Sequence, residues 1–346
     1  MNKFSFSKIE NNQLDSLVLL RGIAVIMVCF CHFGGALSTG HIFSGLFEIF
    51  HNYGKFGVHI FFVISGFIIP FSLFKGKYHI TDYPRFLYKR ILRLHPPYLA
   101  ALLLTLIIMY FSYRTRHISF PENAFSIFKS LIYFHIPADN PVFWTLIVEA
   151  QYYLFIGFFY ILLMQNTKIA YFIVMPILLI LSNFNDKPYF LLQSFFVFFF
   201  IGNIGYMIYT KNGSKILNVI VLIFLLTYAA YFYEMAAFIS SLFTVGFILL
   251  FRKPIHNIFK FVGIISYSVY LIHFPLGVKI INFVKLKINL SYSWLLFIIT
   301  LMLTLIISWI FYKIFEEFSE RLSKKIKYKA TSRIKIATDE NIIVAS

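Results

Sequence analysis

The chain has 346 residues, of which 60% are apolar and 13% charged, with 45 Phe, 23 Tyr and a formal net charge of +17. That composition excludes a soluble domain, because several apolar runs reach the ~18–20 residues needed to cross a roughly 30 Å hydrocarbon core. Helices satisfy their own backbone hydrogen bonds there, so the expected fold class is all-α: a polytopic membrane bundle of about ten transmembrane helices.

The basic excess falls in short segments between the apolar runs, the pattern of cytoplasmic loops beside a lipid bilayer and not of a nucleic-acid surface. Residues 1–16 read as a cytoplasmic N-terminal segment, in which Lys3 and Lys8 precede Asp15 without the small-residue cleavage site of a signal peptide. The membrane domain is expected over residues 17–318 and a basic cytoplasmic tail over 319–346.

The first expected span, about 17–37, contains Arg21 and His32. Eleven residues at about 100° each make three turns and a little more, so the two share one helix face roughly 16 Å apart along the axis. Ionisable groups are costly in hydrocarbon and turn toward a protein interior or polar cavity, which makes both candidates for function. Their two depths suit a long, anionic, deeply inserting ligand. Cys29 and Cys31 lie in the same span and are the chain's only cysteines, so no disulfide framework or metal site is expected.

A polar segment with His41, His51 and Lys55 leads to the second span at about 56–74, which holds His59, Ser65 and Gly66. The most basic loop follows, with Lys75, Lys77, Arg85, Lys89, Arg90 and Arg93. Arg90 and Arg93, at i and i+3, share one side of a helix. The third span, about 94–112, precedes a longer outer loop, and the fourth, about 143–164, opens with Trp144 and carries Glu149 one to two turns inside. Spans at about 169–183 (with Pro176), 189–209, 216–233, 235–251, 262–282 and 292–314 complete the ten. The ninth places Tyr267, Tyr270 and His273 at i, i+3 and i+6. With both termini cytoplasmic, most Lys and Arg fall inside; Lys285 and Lys287 dissent.

Six stretches, LDSLVLLRGIAVIMVCFCH, GVHIFFVISGFII, RFLYKRILRLHPPYL, WTLIVEAQYYL, ISYSVYLIHFP and IFEEF, resemble in that order the acyltransferase-3 family of membrane acyltransferases over residues 14–318. No esterase-like domain follows the tenth span, so the chain is similar to stand-alone O-acetyltransferases of polysaccharide or O-antigen. The resemblance implies that His32 is the catalytic base and that Arg21, Arg90 and Arg93 bind an acyl-coenzyme A donor, most simply acetyl-coenzyme A, with no metal cofactor. Imidazole titrates near neutrality, as a base for a sugar hydroxyl must, and guanidinium forks match phosphate oxygens. Glu149 is expected either to orient His32 in catalysis or to hold the acceptor. Trp144 is either an interfacial anchor or a stacking platform for a sugar. Tyr270 and His273 either line the acceptor path or pack the core, and Ser65 admits a ligand or a neighbouring backbone.

His59 stands where family members commonly have an acidic residue, Ala150 where a second acidic residue is frequent, and Phe318 where proline is usual. Glu316 matches the family's acidic residue after the tenth span and reads as structural, paired with a cytoplasmic-side arginine. The expected reaction is direct transfer in the cytoplasmic (inner) membrane, from acetyl-coenzyme A to a sugar hydroxyl of a surface polysaccharide or its lipid-linked precursor. A covalent acyl-histidine route, succinyl transfer to another acceptor, and a glycan flippase are the alternatives. The expected geometry is one donor channel with Arg21 at its inner end and His32 at its reactive end, toward which Arg90, Arg93 and Glu149 turn.

Overall fold

A chain in hydrocarbon that does not close into a barrel must pair its backbone groups within helices, and every regular element among the described residues is helical. The computed structural model describes residues 3–40, 42–183 and 191–328, with side chains from Asp15 onward. His41, the first residues of the sixth expected span, and the tail beyond 328 with Lys329, Arg333 and Lys335 lie outside the described residues.

The helices are α1 (Lys3–Leu37), α2 (Ser44–Gly54), α3 (Gly57–Lys75), α4 (Tyr83–Thr115), α5 (Ala124–Leu131) and α6 (Trp144–Gln165). They continue with α7 (Thr167–Ser182), α8 (Phe196–Thr210), α9 (Lys215–Phe232), α10 (Met235–Leu250), α11 (Asn257–Ile264), α12 (Ser266–Val284), α13 (Ser293–Phe311) and α14 (Glu317–Lys325). Among the described residues eight helical segments are long and apolar enough to cross a membrane; α7 and α10 are shorter apolar helices where the fifth and eighth spans were expected.

Three boundaries differ from the sequence reading. The first helix begins at Lys3. The polar segment before the second span is helical, because α2 buries Phe47 and Gly54 against α1. A Cβ at Gly54 would stand 2.3 Å from the Met27 carbonyl, so a small residue is what lets the two helices approach. The chain also does not leave the bundle at 318: α14 packs back onto α4, where Arg93 pairs with Glu320 at 3.0 Å.

A close backbone contact joins α3 to α8. A Cβ at Gly66 would lie 2.2 Å from the Phe199 carbonyl, and one at Gly202 would lie 2.2 Å from the Val63 carbonyl. Each glycine therefore makes room for the other helix's backbone. Gly66→Ala is expected to destabilise the protein by about 1–3 kcal/mol through overpacking, read as a lowered Tm of the purified protein. Gly246→Ala is the control, since nothing lies within 4 Å of a Cβ there; equal Tm values for the two variants would contradict the packing account.

Local irregularities accompany the prolines. In α7 the π-helical turn Ala170–Val174 immediately precedes Pro176, and in α12 the π-helical turn His273–Val278 contains Pro275. Such turns absorb a missing N–H without ending the helix. Pro96 and Pro97 interrupt the ladder of α4, and the Tyr267 hydroxyl donates to the nearby Leu94 carbonyl at 2.9 Å. Lys285, a dissenter from the charge rule, donates to the Ala36 carbonyl at 2.8 Å in the last turn of α1, where a cation meets the negative end of the helix dipole.

The α4–α6 loop is organised by a buried carboxylate. Burial works to raise the Glu122 carboxyl, but hydrogen bonds from the Ser126 hydroxyl (2.6 Å), the Ala138 N–H (3.1 Å) and His135 Nε2 (2.8 Å) hold it below the usual carboxylate range. The fold thus favours the ionised form. Its ordering contribution is complete above the unfolded value of about 4.3 and is lost as pH falls through the lowered folded value. Hydrogen exchange over residues 122–138, corrected for intrinsic rate, should be flat down to about pH 5 and rise well below it. Glu122→Gln should abolish that rise, and an unaltered profile in the variant would contradict the assignment.

Candidate active site

Three neighbouring chambers that share wall residues lie in the half of the bundle built from α1, α3, α4, α6, α12 and the turn into α14. The first, a vestibule of ≈ 560 Å³, opens where α3 ends and α4 begins. Among the described residues its wall carries six cations, Lys75, Lys89, Arg90, Arg93, Lys324 and Lys327, with Tyr328 beside them, while Glu320, off the lining, pairs with Arg93 and Lys324. The face on which it opens is called the basic face below. Lys324, Lys327 and Tyr328 come from the far end of the chain and are placed by the packing of α14 on α4.

Arg90 and Arg93 also line the second chamber, a central cavity of ≈ 280 Å³. Arg90 is buried with its guanidinium 5.5 Å from the Phe86 ring and 5.6 Å from the Tyr153 ring, and its Nε and Nη2 have no hydrogen-bond partner. Arg21, Ser65, Glu149, Tyr270 and Glu316 face the same cavity. Five elements distant in sequence therefore aim polar groups at one space, which hydrocarbon tolerates only when the groups serve each other or a ligand.

Glu149 accepts a hydrogen bond from the Tyr153 hydroxyl one turn on. The Tyr270 hydroxyl donates to the Val142 carbonyl (2.9 Å) and accepts from Thr145 (2.7 Å), so it is fixed at the cavity's far end, where its ring meets Phe61 at 5.9 Å. Glu316 is buried and accepts from the Ser268 N–H (3.1 Å) and hydroxyl (2.6 Å). It is thus part of the cavity wall, and the carboxylate that pairs with Arg93 is Glu320, not Glu316.

His32 lies off the lining of all three chambers, so the expectation of one channel shared by Arg21 and His32 does not hold as stated. Three turns beyond Arg21, its ring stands 5.3 Å from the His273 ring and edge-on to Phe274 at 5.0 Å. Glu149, bonded to Tyr153, does not pair with it. His273 is fully buried at the start of the π-helical turn, with Nδ1 2.8 Å from the Tyr270 carbonyl. A carbonyl has no proton to give, so Nδ1 carries the hydrogen and Nε2 holds a lone pair, and that Nε2 has no partner. His273 is 5.7 Å from the Tyr270 ring, so Tyr270 links the cavity to the histidine pair.

The remaining candidates separate. Ser65 faces the cavity, whereas Gly66 faces α8. Trp144 packs against Phe62 (6.1 Å) and Phe195 (5.1 Å) and lines none of the chambers. His59 sits among Phe56, Phe195 and Phe198, away from the cavity. Cys29 and Cys31 are buried packing residues, and among the described residues no three His, Cys, Asp or Glu side chains gather to hold a metal ion. Sequence reasoning missed Tyr153 as a wall residue, although it sits one turn from Glu149, and it noted Tyr267 for its spacing without giving it a place in the wall.

The third chamber, a side cavity of ≈ 680 Å³, lies between α4, α6 and the loop after α5. It shares Arg90, Leu94, Leu146, Glu149, Tyr153 and Tyr267 with the central cavity, so Glu149 stands on the wall between the two.

Residues 14–313 match the acyltransferase domain of the acyltransferase-3 family. No match was found among curated proteins or among solved structures. The ordered chambers and this match over nearly the whole membrane region agree: the chain belongs to the acyltransferase-3 family of membrane acyltransferases.

Proposed function

We propose that the protein transfers an acyl group, most simply acetyl, from acyl-coenzyme A to a sugar hydroxyl of a surface polysaccharide or its lipid-linked precursor. The observation that carries the donor assignment is the adjacency of a six-cation vestibule and a largely apolar cavity, with Arg90 and Arg93 lining both. A coenzyme A thioester has the matching shape: a polyanionic head, a long neutral arm and a small reactive end. Phosphates held by Arg90, Arg93 and the vestibule lysines are charge-assisted contacts, and the arm follows Arg21 and Ser65 toward Tyr270. The basic face is then the cytoplasmic one, as the excess of Lys and Arg there requires, and the membrane is the inner, cytoplasmic membrane.

In the reaction the acceptor oxygen attacks the thioester carbonyl carbon. A carbon–oxygen bond forms, the carbon–sulfur bond breaks, and the electron pair leaves on the coenzyme A sulfur. His32 takes the acceptor proton and returns it to the thiolate, while Glu149 accepts a hydrogen bond from the acceptor. Because Tyr270 and Phe61 are on the cavity lining and the histidine pair is not, this chemistry asks the Tyr270 ring to turn aside as both substrates bind. His273, its lone pair unpartnered beside His32, is placed to receive the ring hydrogen of His32.

The test is loss of one acyl mass, read by mass spectrometry, from the surface polysaccharide or lipid-linked intermediates of cells lacking the protein. The mass itself distinguishes acetyl from succinyl. An unchanged set of glycans would overturn the acceptor assignment.

A further inference from the structure

The side cavity is larger than the central one and differs from the vestibule in character. Among the described residues only Arg90 and Lys129 bring Lys or Arg cations to it, and the Lys129 ammonium lies 4.3 Å over the Phe125 ring. Its inner wall is polar, with His95, Tyr133 and Glu149. Among the described residues its rim is apolar: Ile91, Ile132, Phe134 and Leu154 are 54%, 48%, 63% and 55% exposed, Ile91 and Leu154 on two of the helices able to cross a membrane. A chamber that is polar inside and apolar at its exposed rim, between two helices able to cross a membrane, fits an amphiphile, and its volume lies in the range of small-molecule sites.

The loop that roofs it is held down firmly. Tyr98 donates to the Ser130 carbonyl at 2.6 Å, and the Tyr133 ring stacks on Tyr98 at 4.5 Å. Tyr133 shares a hydrogen bond with His95 at 3.1 Å and adopts a left-handed φ of 65°, a strained conformation for a bulky residue. Such strain persists only where the surroundings enforce it. The roof is therefore a built wall, and the space beneath it is preformed.

We propose that the side cavity is the lateral port for the acceptor: it holds the hydrocarbon-tailed end of a hydroxylated amphiphile that slides in from the bilayer. The head group crosses the shared wall at Leu146 and Glu149 into the upper central cavity, one helical turn below Thr145 and Tyr270. This rests on the acyltransferase reading above, and adds where the acceptor binds and that it carries an apolar tail. Donor and acceptor then reach one cavity from different sides, the anion through the basic vestibule and the amphiphile through the membrane.

The experiment uses the full chain in phosphatidylcholine nanodiscs and a dodecyl glucoside bearing a diazirine on its alkyl chain. Photolabelling is expected on peptides containing Ile91, Ile132, Phe134 and Leu154, displaced by unmodified dodecyl glucoside. Ala150 and Ile147 line only the side cavity, so Ala150→Phe and, independently, Ile147→Trp fill it without touching the donor path. Each should cut labelling about tenfold, equivalent to about 1.4 kcal/mol, with acetyl-coenzyme A binding unchanged. Labelling spread evenly over lipid-facing helices, or indifferent to both substitutions, would overturn the proposal. So would labelling of the same peptides by a diazirine phosphatidylglycerol that the glucoside does not displace, which marks a lipid-filled fissure. Failure of the unsubstituted protein to bind acetyl-coenzyme A would instead overturn the acyltransferase reading, and the acceptor role with it.

Discussion

His32→Ala is expected to lower acyl transfer by about 10²–10⁴-fold, the range for loss of a positioned general base, while acetyl-coenzyme A still binds with nearly its original affinity. The split follows from the architecture. The residues proposed to hold the donor, Arg21, Arg90 and Arg93, line the vestibule and central cavity, whereas His32 lies three turns beyond Arg21 and outside both. A defect in kcat with an unchanged Kd for the donor is therefore the signature sought, measured by thiol release and by radioligand binding on the same preparation. If donor affinity fell in parallel with turnover, His32 would be acting on the bundle's structure and not on the acceptor proton. Equal or greater loss in Glu149→Gln with His32→Ala active would move the base to the wall between the cavities.

Arg90→Met should produce the opposite split. Each charge-assisted hydrogen bond to a phosphate contributes about 1.5–3 kcal/mol, so losing one should weaken acetyl-coenzyme A binding about 10- to 150-fold. The same substitution should leave Tm unchanged or raise it. Arg90 is a buried cation with two guanidinium nitrogens unpartnered, and replacing a poorly compensated buried charge by an apolar side chain of similar length is commonly neutral or stabilising. On the proposed donor reading, the missing partner of this buried guanidinium is a phosphate of the substrate. Arg93, already paired with Glu320 at 3.0 Å, should show a smaller binding effect on replacement. A large fall in Tm for Arg90→Met without a change in donor affinity would show that its place is structural.

Much of the fold was legible because hydrocarbon constrains the chain so strongly. Run length alone placed ten apolar helices, and even α7, with Pro176, stands close to its expected position. α2 was not legible, because its reason to be helical is a partner, the face of α1 that accepts Gly54. The site was legible in part: Arg21 and Glu149 as ionisable groups within expected spans, Arg90 and Arg93 as an i, i+3 pair at the end of the basic loop, and all four line the central cavity. Helical spacing put His32 on the same face as Arg21, but no spacing rule says where a cavity ends. Tyr270 and Phe61 are on its lining and the two histidines are not. Trp144 illustrates the converse: a tryptophan at a span's outer end reads as an interface or a sugar platform, yet α3 and the segment leading into α8 supply the rings that enclose it. The C-terminal lysines of the vestibule were hidden because only the return of α14 onto α4 brings them there.

The central claim is that acyl-coenzyme A seated behind the basic vestibule is the donor for a reaction that needs His32. Its most direct test is release of free thiol from acetyl-coenzyme A by the purified full chain in nanodiscs, with dodecyl glucoside offered as acceptor. The account predicts acceptor-dependent thiol release with matching acetylation of the glucoside, inhibited by free coenzyme A, abolished in His32→Ala and shifted to higher donor concentration in Arg90→Met. Thiol release unchanged in His32→Ala, or no binding of acetyl-coenzyme A at all, would contradict it.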